Sequence, residues 1–371
     1  MATAAGSARD AISGVLLAPW CHMSSRSAFS ACLLAAAVLA TACGGSTPSE
    51  PTVTPTPQPT ATPPPSVYVT GVEFNGMRGV AKIWKNGIAT PLTDGTKEST
   101  AGSVAVSGGD VYVAGAESNG TYGVAKIWKN GVAIPLTDGT RNSGASSVTI
   151  SGSDVYVAGY ETNGTHAVVK IWKNGVATSL TDGASNAYAT SVAVSGSDVY
   201  VAGSEFNGLY GVAKVWKNGV ATPLTDGTRD AEVFFVAIFG SDVSVAGYES
   251  NGTHLVGKVW KNGVATPLTD GTQSATARSV AISGSDAYVA GYESTGTHPA
   301  ADIWKNGVAT PLTDGTQPSF AYSVVISGSD VYVAGAESNG THRVAKVWKN
   351  GVATPLTDGT QDAYAYFVLV K

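Results

Sequence analysis

Short runs in which apolar residues alternate with small or polar ones recur through most of this chain. One stretch, residues 102–139, contains four such runs, SVAVS, DVYVAG, GVAKIW and VAIPLT, which we label a, b, c and d. Alternation over about four to eight residues is typical of a β-strand, so each run predicts one strand. In run a, Val104 and Val106 alternate with small residues, while run b is apolar on both faces at Val111 and Tyr112. Such strands need cover on both sides of their sheet.

The four-strand unit is repeated seven times with no insertion or loss. A tryptophan ends run c of every copy, and successive tryptophans are 44 residues apart: Trp84, Trp128, Trp172, Trp216, Trp260, Trp304 and Trp348. Four antiparallel strands in about 40 to 45 residues is the spacing of a β-propeller blade. The sequence therefore predicts an all-β fold in which residues 67–371 form a seven-bladed β-propeller of four-stranded antiparallel blades. We expect each tryptophan to pack within its own blade.

Turn and proline positions predict the order of the strands within a blade. The c–d link is Asn130-Gly131 or its equivalent in every copy, a pair that favours a type I′ hairpin because both residues need positive φ. Run d carries a proline, such as Pro135, in six copies and Ser179 in the third. Because proline cannot donate to a sheet ladder, strand d is expected at the outer edge and strand a beside the central channel. The b–c and d–a loops then share one rim, which we call the upper rim; the a–b and c–d turns form the lower rim.

The two ends of the repeat region predict how the ring closes. The region opens with a strand b, VYVTG at 67–71, and ends with a lone strand a, YFVLV at 366–370. An open stack of repeats would need polar caps at both ends, whereas here the last strand can complete the first blade. We therefore expect the C-terminal strand to join the N-terminal blade and close the ring.

The residues before the repeats carry targeting signals. Residues 1–22 are interpreted as an upstream extension, with Met23 as the better initiator. Residues 23–42 have a basic start and an apolar run too short for a membrane span, which predicts a signal peptide. The sequence ATAC, which ends at Cys43, resembles the lipobox of bacterial lipoproteins, although Leu39 lies four rather than three residues before the cysteine. The resemblance implies cleavage before Cys43 and lipidation of its thiol; an ordinary signal peptide is the alternative.

The linker and the composition narrow the range of partners. Residues 43–66 are rich in proline and threonine, which predicts an extended spacer. All three cysteines precede residue 67, so the propeller has no disulfide of its own.

The net charge is −5 and no run of lysine and arginine occurs, so nucleic acid is not expected as a partner. Motifs for nucleotide binding, metal-dependent hydrolysis and nucleophilic catalysis are absent. We expect a monomer without a cofactor.

Two rings of carboxylates are predicted on the upper rim, a glutamate in strand b and an aspartate before strand a. A catalytic acid and base need two carboxylates in different environments. Seven equivalent copies of each carboxylate have equivalent environments, which argues against a unique catalytic pair. We expect each glutamate to pair with a strand-c lysine, as Glu117 with Lys126, except where Asp302 replaces the lysine. Asp138 and its equivalents are expected to close turns, as are Asp110 and its equivalents on the lower rim.

Histidines and aromatic residues are the candidate ligand-binding residues. One b–c loop position holds four histidines: His166, His254, His298 and His342. Adjacent blades lie on the order of 10 Å apart, so these side chains are not expected to meet on a metal ion, but each could line a binding rim.

Two positions near the start of strand a differ most between copies. The first holds Thr100, Gly144, Tyr188, Glu232, Thr276, Phe320 and Tyr364; the second holds Gly102, Ser146, Thr190, Phe234, Arg278, Tyr322 and Tyr366. Their aromatic members are the candidates: Tyr188, Phe234, Phe320, Tyr322, Tyr364 and Tyr366. Aromatic faces among polar groups suit sugar rings or a peptide, but they would also fill gaps between blades.

A family resemblance is carried by the first two strands. The stretch SVAVSGSDVYVAG at 191–203 resembles NHL-type repeats, and the whole unit resembles those of uncharacterised bacterial secreted β-propeller lipoproteins. The anchor, the spacer, the ring and the uneven aromatic rim together predict an extracytoplasmic protein, lipid-anchored to the bacterial cell membrane or outer membrane. We expect it to have a binding or scaffold function, with a glycan or protein ligand at the upper rim. The alternatives are an extracellular carbohydrate-active hydrolase or lyase that uses rim carboxylates, and a structural or adhesion spacer with no small ligand.

Overall fold

The computed structural model describes residues 64–371, which form a ring of seven four-stranded antiparallel sheets. Each sheet is one blade, so the predicted seven-bladed all-β fold is confirmed. The predictions for residues 1–22, 23–42 and 43–63 concern a part of the chain outside the described residues. No helix between residues 64 and 371 is long and apolar enough to cross a membrane.

The strands are numbered in chain order and grouped by blade. Blade 1 contains β1 (Val67–Phe74), β2 (Gly79–Lys85), β3 (Ile88–Pro91) and β28 (Ala363–Val370). Blade 2 contains β4 (Ser99–Ser107), β5 (Asp110–Ser118), β6 (Gly123–Lys129) and β7 (Val132–Pro135). Blade 3 contains β8 (Ser143–Ser151), β9 (Asp154–Thr162), β10 (Ala167–Lys173) and β11 (Val176–Ser179). Blade 4 contains β12 (Ala187–Ser195), β13 (Asp198–Phe206), β14 (Gly211–Lys217) and β15 (Val220–Pro223). Blade 5 contains β16 (Ala231–Phe239), β17 (Asp242–Ser250), β18 (Leu255–Lys261) and β19 (Val264–Pro267). Blade 6 contains β20 (Ala275–Ser283), β21 (Asp286–Ser294), β22 (Pro299–Lys305) and β23 (Val308–Pro311). Blade 7 contains β24 (Ser319–Ser327), β25 (Asp330–Ser338), β26 (Arg343–Lys349) and β27 (Val352–Pro355).

The strand order within a blade is the predicted one. The a strands of neighbouring blades contact one another around the ring, from β4 through β28, so they line the central channel. The d strands are exposed along their whole length, as in β7, and form the outer edge. At the c–d hairpin, Asn130 and Gly131 have φ of 51° and 83°. Both values are positive, as the type I′ hairpin requires.

The ring is closed by the C-terminal strand, as predicted. Strand β28 pairs antiparallel with β1, with Val67 opposite Val370 and Glu73 opposite Ala363. Beyond the strands, the Ser66 N–H donates to the Lys371 carbonyl at 2.6 Å and the Lys371 N–H donates back at 2.9 Å. The first blade therefore consists of three strands from one end of the repeat region and one from the other.

The hydrophobic core lies between adjacent blades. Trp128 is fully buried and lies close to Gly115 of its own blade, where an added Cβ would come within 2.9 Å of the ring. The same ring packs with Tyr68 and Ala81 of the preceding blade. The expectation that each tryptophan packs within its own blade was therefore wrong in part. Ala81 of the neighbouring blade leaves room for the indole, which joins the two sheets.

Candidate ligand-binding site

Every strand a carries a β-bulge near the upper rim. In blade 2, Ala101 lies opposite Gly115 and Ser103 lies opposite Ala114, so Gly102 has no partner on β5. The bulged residues of the seven blades are Gly102, Ser146, Thr190, Phe234, Arg278, Tyr322 and Tyr366. A bulge redirects a side chain out of the regular alternation. These residues are the second variable series of the sequence, so variation is concentrated where the sheets turn side chains towards the channel.

The bulged residues line one cavity in the central channel. Its volume is about 220 Å³, and Ser103, Ser147, Phe235 and Phe367 complete its lining. Blades 5, 6, 7 and 1 contribute the large bulged side chains, and blades 2, 3 and 4 contribute Gly102, Ser146 and Thr190. The cavity therefore has one wall of aromatic rings and a guanidinium, and one wall of small residues and hydroxyls.

Two phenylalanines narrow the channel below this cavity. Phe235 of blade 5 and Phe367 of blade 1 have ring centroids 6.1 Å apart, although two blades separate them around the ring. The lower half of the channel is a second cavity of about 360 Å³, which also touches both rings. The upper and lower cavities therefore meet at the level of the two phenylalanines and of Ser103 and Ser147, which line both.

Serine occupies the phenylalanine position in the other five blades. In blade 2, for example, the Val148 N–H of the next strand a donates to Ser103 Oγ at 3.3 Å. Phenylalanine cannot accept such a bond, and the two rings meet across the channel instead. Sequence reasoning missed Phe235 and Phe367. The available signal was an apolar residue in place of serine at one fixed position of the repeat.

Arg278 is the cation of the cavity. Its guanidinium carbon lies 3.9 Å from the centroid of the Phe234 ring and 5.5 Å from that of Tyr322. Stacking on aromatic faces holds a guanidinium in place while leaving its N–H groups free at the edge. Within residues 64–371, the Arg278 side chain forms no ion pair with a carboxylate.

Glu232 is the carboxylate that interacts electrostatically with this cation. Burial raises the pKa of Glu232, the nearby Asp230 raises it further, and the charge of Arg278 opposes both. The Tyr248 hydroxyl donates to Asp230 Oδ2 at 3.2 Å. Burial also raises the pKa of Tyr322 and of Tyr366 above the usual range, so both hydroxyls are neutral at pH 7.

The predicted aromatic residues fall into three groups. Phe234, Tyr322 and Tyr366 line the cavity. Phe320 stacks on Tyr322 with ring centroids 6.0 Å apart, and Tyr364 stacks on Tyr366 at 5.9 Å, so these two rings support the wall. Tyr188 is 44% exposed and packs edge-on against Tyr160, away from the cavity. The aromatic series therefore provides both a cavity wall and packing between blades.

The histidines are not brought together by the fold. None of the four lines the cavity. They lie at the ends of tight b–c loops, where the backbone N–H of His166, for example, donates to Asn163 Oδ1 at 2.9 Å. His342 Nδ1 lies 3.9 Å from Asp362 Oδ1. Between residues 64 and 371 there is no group of three or more histidine, cysteine, aspartate or glutamate side chains able to hold a metal ion.

The carboxylate rings have structural partners, as expected. Glu117 pairs with Lys126, and the equivalent pairs form in every blade except blade 6, where Asp302 replaces the lysine. Asp138 accepts the Thr140 N–H at 2.9 Å and the Thr140 hydroxyl at 2.7 Å, which lowers the pKa of this carboxyl. These carboxylates stabilise turns and sheets.

On the lower rim, Asp110 joins two turns. It accepts a hydrogen bond from the Asn130 side-chain amide at 2.7 Å and forms an ion pair with Lys129 at 2.8 Å. Both contacts lower the pKa of Asp110. The predicted turn residue of the a–b connection therefore also anchors the c–d hairpin.

Comparisons with known proteins bear on the fold. No family model and no curated protein sequence matches this chain. Similar solved structures include TolB from Acinetobacter baumannii, with a TM-score of 0.45 and 11% identity over 66% of this chain and 63% of that one. Another is the acylaminoacyl peptidase of Pyrococcus horikoshii, with a TM-score of 0.50 and 12% identity over 79% of this chain and 51% of that one.

The chain thus spans less than two thirds of the length of either structure. At 12% identity, the likeness to the peptidase concerns the fold alone. Fold and cavity together define the class: a seven-bladed β-propeller with a cavity in its central channel near the upper rim.

Proposed function

We propose that this protein is a lipid-anchored cell-surface binding protein that holds part of a glycan or protein ligand in the upper cavity. The observation that carries the proposal is the distribution of differences between copies. The scaffold is repeated almost unchanged, whereas the seven bulged residues that line one cavity all differ between blades except for two tyrosines. Packing alone explains strict repetition, and a ligand would explain the variation at one mouth of the channel.

The location is part of the same proposal and rests on residues 23–66. The signal-like segment and Cys43 support anchoring to a bacterial membrane, and the proline-rich linker supports display away from it. The repeats, which are NHL-like in strand pattern, support a relationship to bacterial secreted β-propeller lipoproteins. We place the protein outside the cytoplasm, as a monomer without a nucleic-acid partner.

Filling the cavity tests the binding site. Ser146→Trp places an indole on a small bulged residue and should abolish ligand capture on glycan and envelope-protein arrays without removing any packed side chain. Thr121→Trp, on an exposed b–c loop outside the cavity, is the matched control and should bind as the parent does. Equal ligand capture by Ser146→Trp and the parent would place the site elsewhere.

Replacing the lipidated cysteine tests the anchor. In the producing bacterium, Cys43→Ser should move the protein from the membrane fraction to the soluble extracytoplasmic fraction and remove incorporation of labelled fatty acid. Cys32→Ser, inside the signal segment, is the matched control and should leave both unchanged. Membrane retention and labelling of Cys43→Ser would contradict lipidation at this residue.

A further inference from the structure

We propose that the upper cavity binds the terminal acidic sugar of a glycan and that Arg278 binds its carboxylate. The inference rests on the proposed function and specifies its ligand class. Arg278 is a cation that lines this cavity between two aromatic faces and forms no ion pair with a carboxylate within residues 64–371.

Arg278 differs from the lysines of the repeat. The strand-c lysines on the upper side pair with glutamates, as Lys214 does with Glu205 at 2.5 Å. Six of the seven lysines of the lower rim pair with aspartates, as Lys217 does with Asp198 at 2.7 Å. A guanidinium presents several N–H donors in a planar fork that matches a carboxylate. Phe234 covers the face of the Arg278 guanidinium, so the N–H groups at the edge of the guanidinium can bind a ligand anion.

The remaining lining suits a sugar ring. Tyr322 and Tyr366 supply aromatic faces for C–H surface, and the opposite wall supplies the hydroxyls of Ser103, Ser146 and Ser147. Ser103 and Ser147 accept backbone N–H groups through Oγ, so each can still donate its hydroxyl hydrogen to a sugar oxygen.

The size of the cavity favours a terminal group. A volume of about 220 Å³ is below that of sites for drug-sized molecules, which start near 300 Å³, so one ring fits and a longer segment does not. The Phe235–Phe367 pair, with ring centroids 6.1 Å apart, narrows the channel beneath the cavity. A peptide C terminus shares the carboxylate but lacks the ring and the hydroxyls that the two walls accommodate.

Glu232 sets the strength of this site. Its carboxylate interacts electrostatically with Arg278 from the same mouth of the channel without forming an ion pair. A negative charge near the guanidinium weakens its attraction for an anion. Removing the two charges one at a time should therefore change anion binding in opposite directions.

The test is isothermal titration of the full chain with four probes. They are a disaccharide ending in glucuronic acid, its neutral counterpart ending in glucose, and a tripeptide with a free or an amidated C terminus. The parent should bind the acidic disaccharide about tenfold or more tightly than the other three. The neutral disaccharide and the amidated tripeptide lack the carboxylate, and the free tripeptide lacks the sugar ring and its hydroxyls.

The variants separate the possible outcomes. Arg278→Gln should weaken binding of the acidic disaccharide about tenfold or more, and Glu232→Gln should strengthen it about twofold to fivefold. Arg141→Gln, on an exposed d–a loop of the same rim, removes the same charge and should change nothing. Circular dichroism and melting temperature establish that each variant is folded.

Three results would overturn the proposal. They are equal binding of the acidic disaccharide by Arg278→Gln and the parent, equal binding of the acidic and neutral sugars, and preference for the free tripeptide. If Ser146→Trp still abolishes capture of an array ligand while Arg278→Gln does not, the binding function stands and the acidic-sugar specificity fails. If both variants bind as the parent does, the cavity is not the site.

Discussion

At residue 302, blade 6 carries an aspartate where the other six blades carry a lysine. The side chain is 8% exposed and shares its surroundings with Glu293, the usual partner of the lysine. Burial, and then the negative charge of Glu293, raise the pKa of Asp302 to about 6. Burial and the charge of Asp270 also raise the pKa of Glu293. One ion pair of the repeat has therefore become a pair of acids.

This substitution predicts a pH-dependent loss of stability. The pKa of Asp302 is higher in the folded chain than the unfolded value of 3.8, so its contribution is fully present below about pH 4 and is lost as the pH rises through 6. Asp302→Asn should therefore raise the free energy of unfolding at pH 7 by about 1 to 2 kcal/mol and leave it nearly unchanged at pH 4. Denaturant unfolding at both pH values measures the difference.

Blade 7 provides the matched control. Lys346→Asp creates beside Glu337 the same pair of acids, so it should lower stability at pH 7 more than at pH 4. Asp302→Lys should restore the pair with Glu293 and stabilise the protein at pH 7. If Asp302→Asn raised the free energy of unfolding equally at both pH values, the charge of Asp302 would not be the cause of the lower stability at pH 7.

At the scale of the strand, the repeat tolerates loss of a packed ring. Strand b of six blades holds a tyrosine beneath a strand-c lysine, as Tyr156 beneath Lys173 at 5.3 Å, and these residues line a groove of about 230 Å³ against the next blade. Blade 5 has Ser244 in place of the tyrosine, and Ala287 of blade 6 replaces a valine. The groove there is about 360 Å³. Strand pairing is unaffected, because backbone hydrogen bonds and the tryptophan on each side remain.

Most of the secondary structure could be predicted because the residues that determine each strand and turn lie within that strand or turn. The Asn-Gly pair fixes a hairpin by its φ requirements, and the proline in strand d fixes an edge, whatever the neighbouring blades contain. The bulge in strand a was not predictable in this way. The bulge is a one-residue shift in strand pairing that is the same whether the bulged residue is Gly102 or Arg278. The type of residue at this position therefore does not indicate the bulge.

Only the part of the candidate site whose residues differ between copies of the repeat could be predicted from the sequence. The second variable series contains every bulged residue of the cavity, so comparing the copies located the wall. The contact between Phe235 and Phe367 was missed because these residues meet across the ring. A 44-residue repeat indicates which blades are neighbours, but it does not reveal contacts between blades that are not neighbours. The histidine position also varies, but its side chains lie apart on separate loops.

At the scale of the whole molecule, stability depends on the closure of the ring. In a linear array each repeat contacts its neighbours only, and the end repeats need caps. Here β28 provides the inner strand of blade 1 and also contacts the inner strands of blades 2 and 7. Ala363, Ala365 and Val368 of this strand are at most 1% exposed. Without β28, two blade interfaces lose their inner contacts and the edge of β1 is left unpaired.

Removing residues 363–371 should therefore abolish cooperative unfolding, because the core between blades 7, 1 and 2 is exposed. Thermal unfolding followed by circular dichroism, with binding of a hydrophobic dye, measures this outcome. The control is the double variant Tyr366→Ala and Phe367→Ala, which removes the channel-facing rings and keeps the strand. It should unfold cooperatively at a lower temperature, since both rings are partly buried and a buried aromatic side chain contributes about 1.5 to 3 kcal/mol at most. A truncated protein that melts like the parent would show that the other blades close without β28.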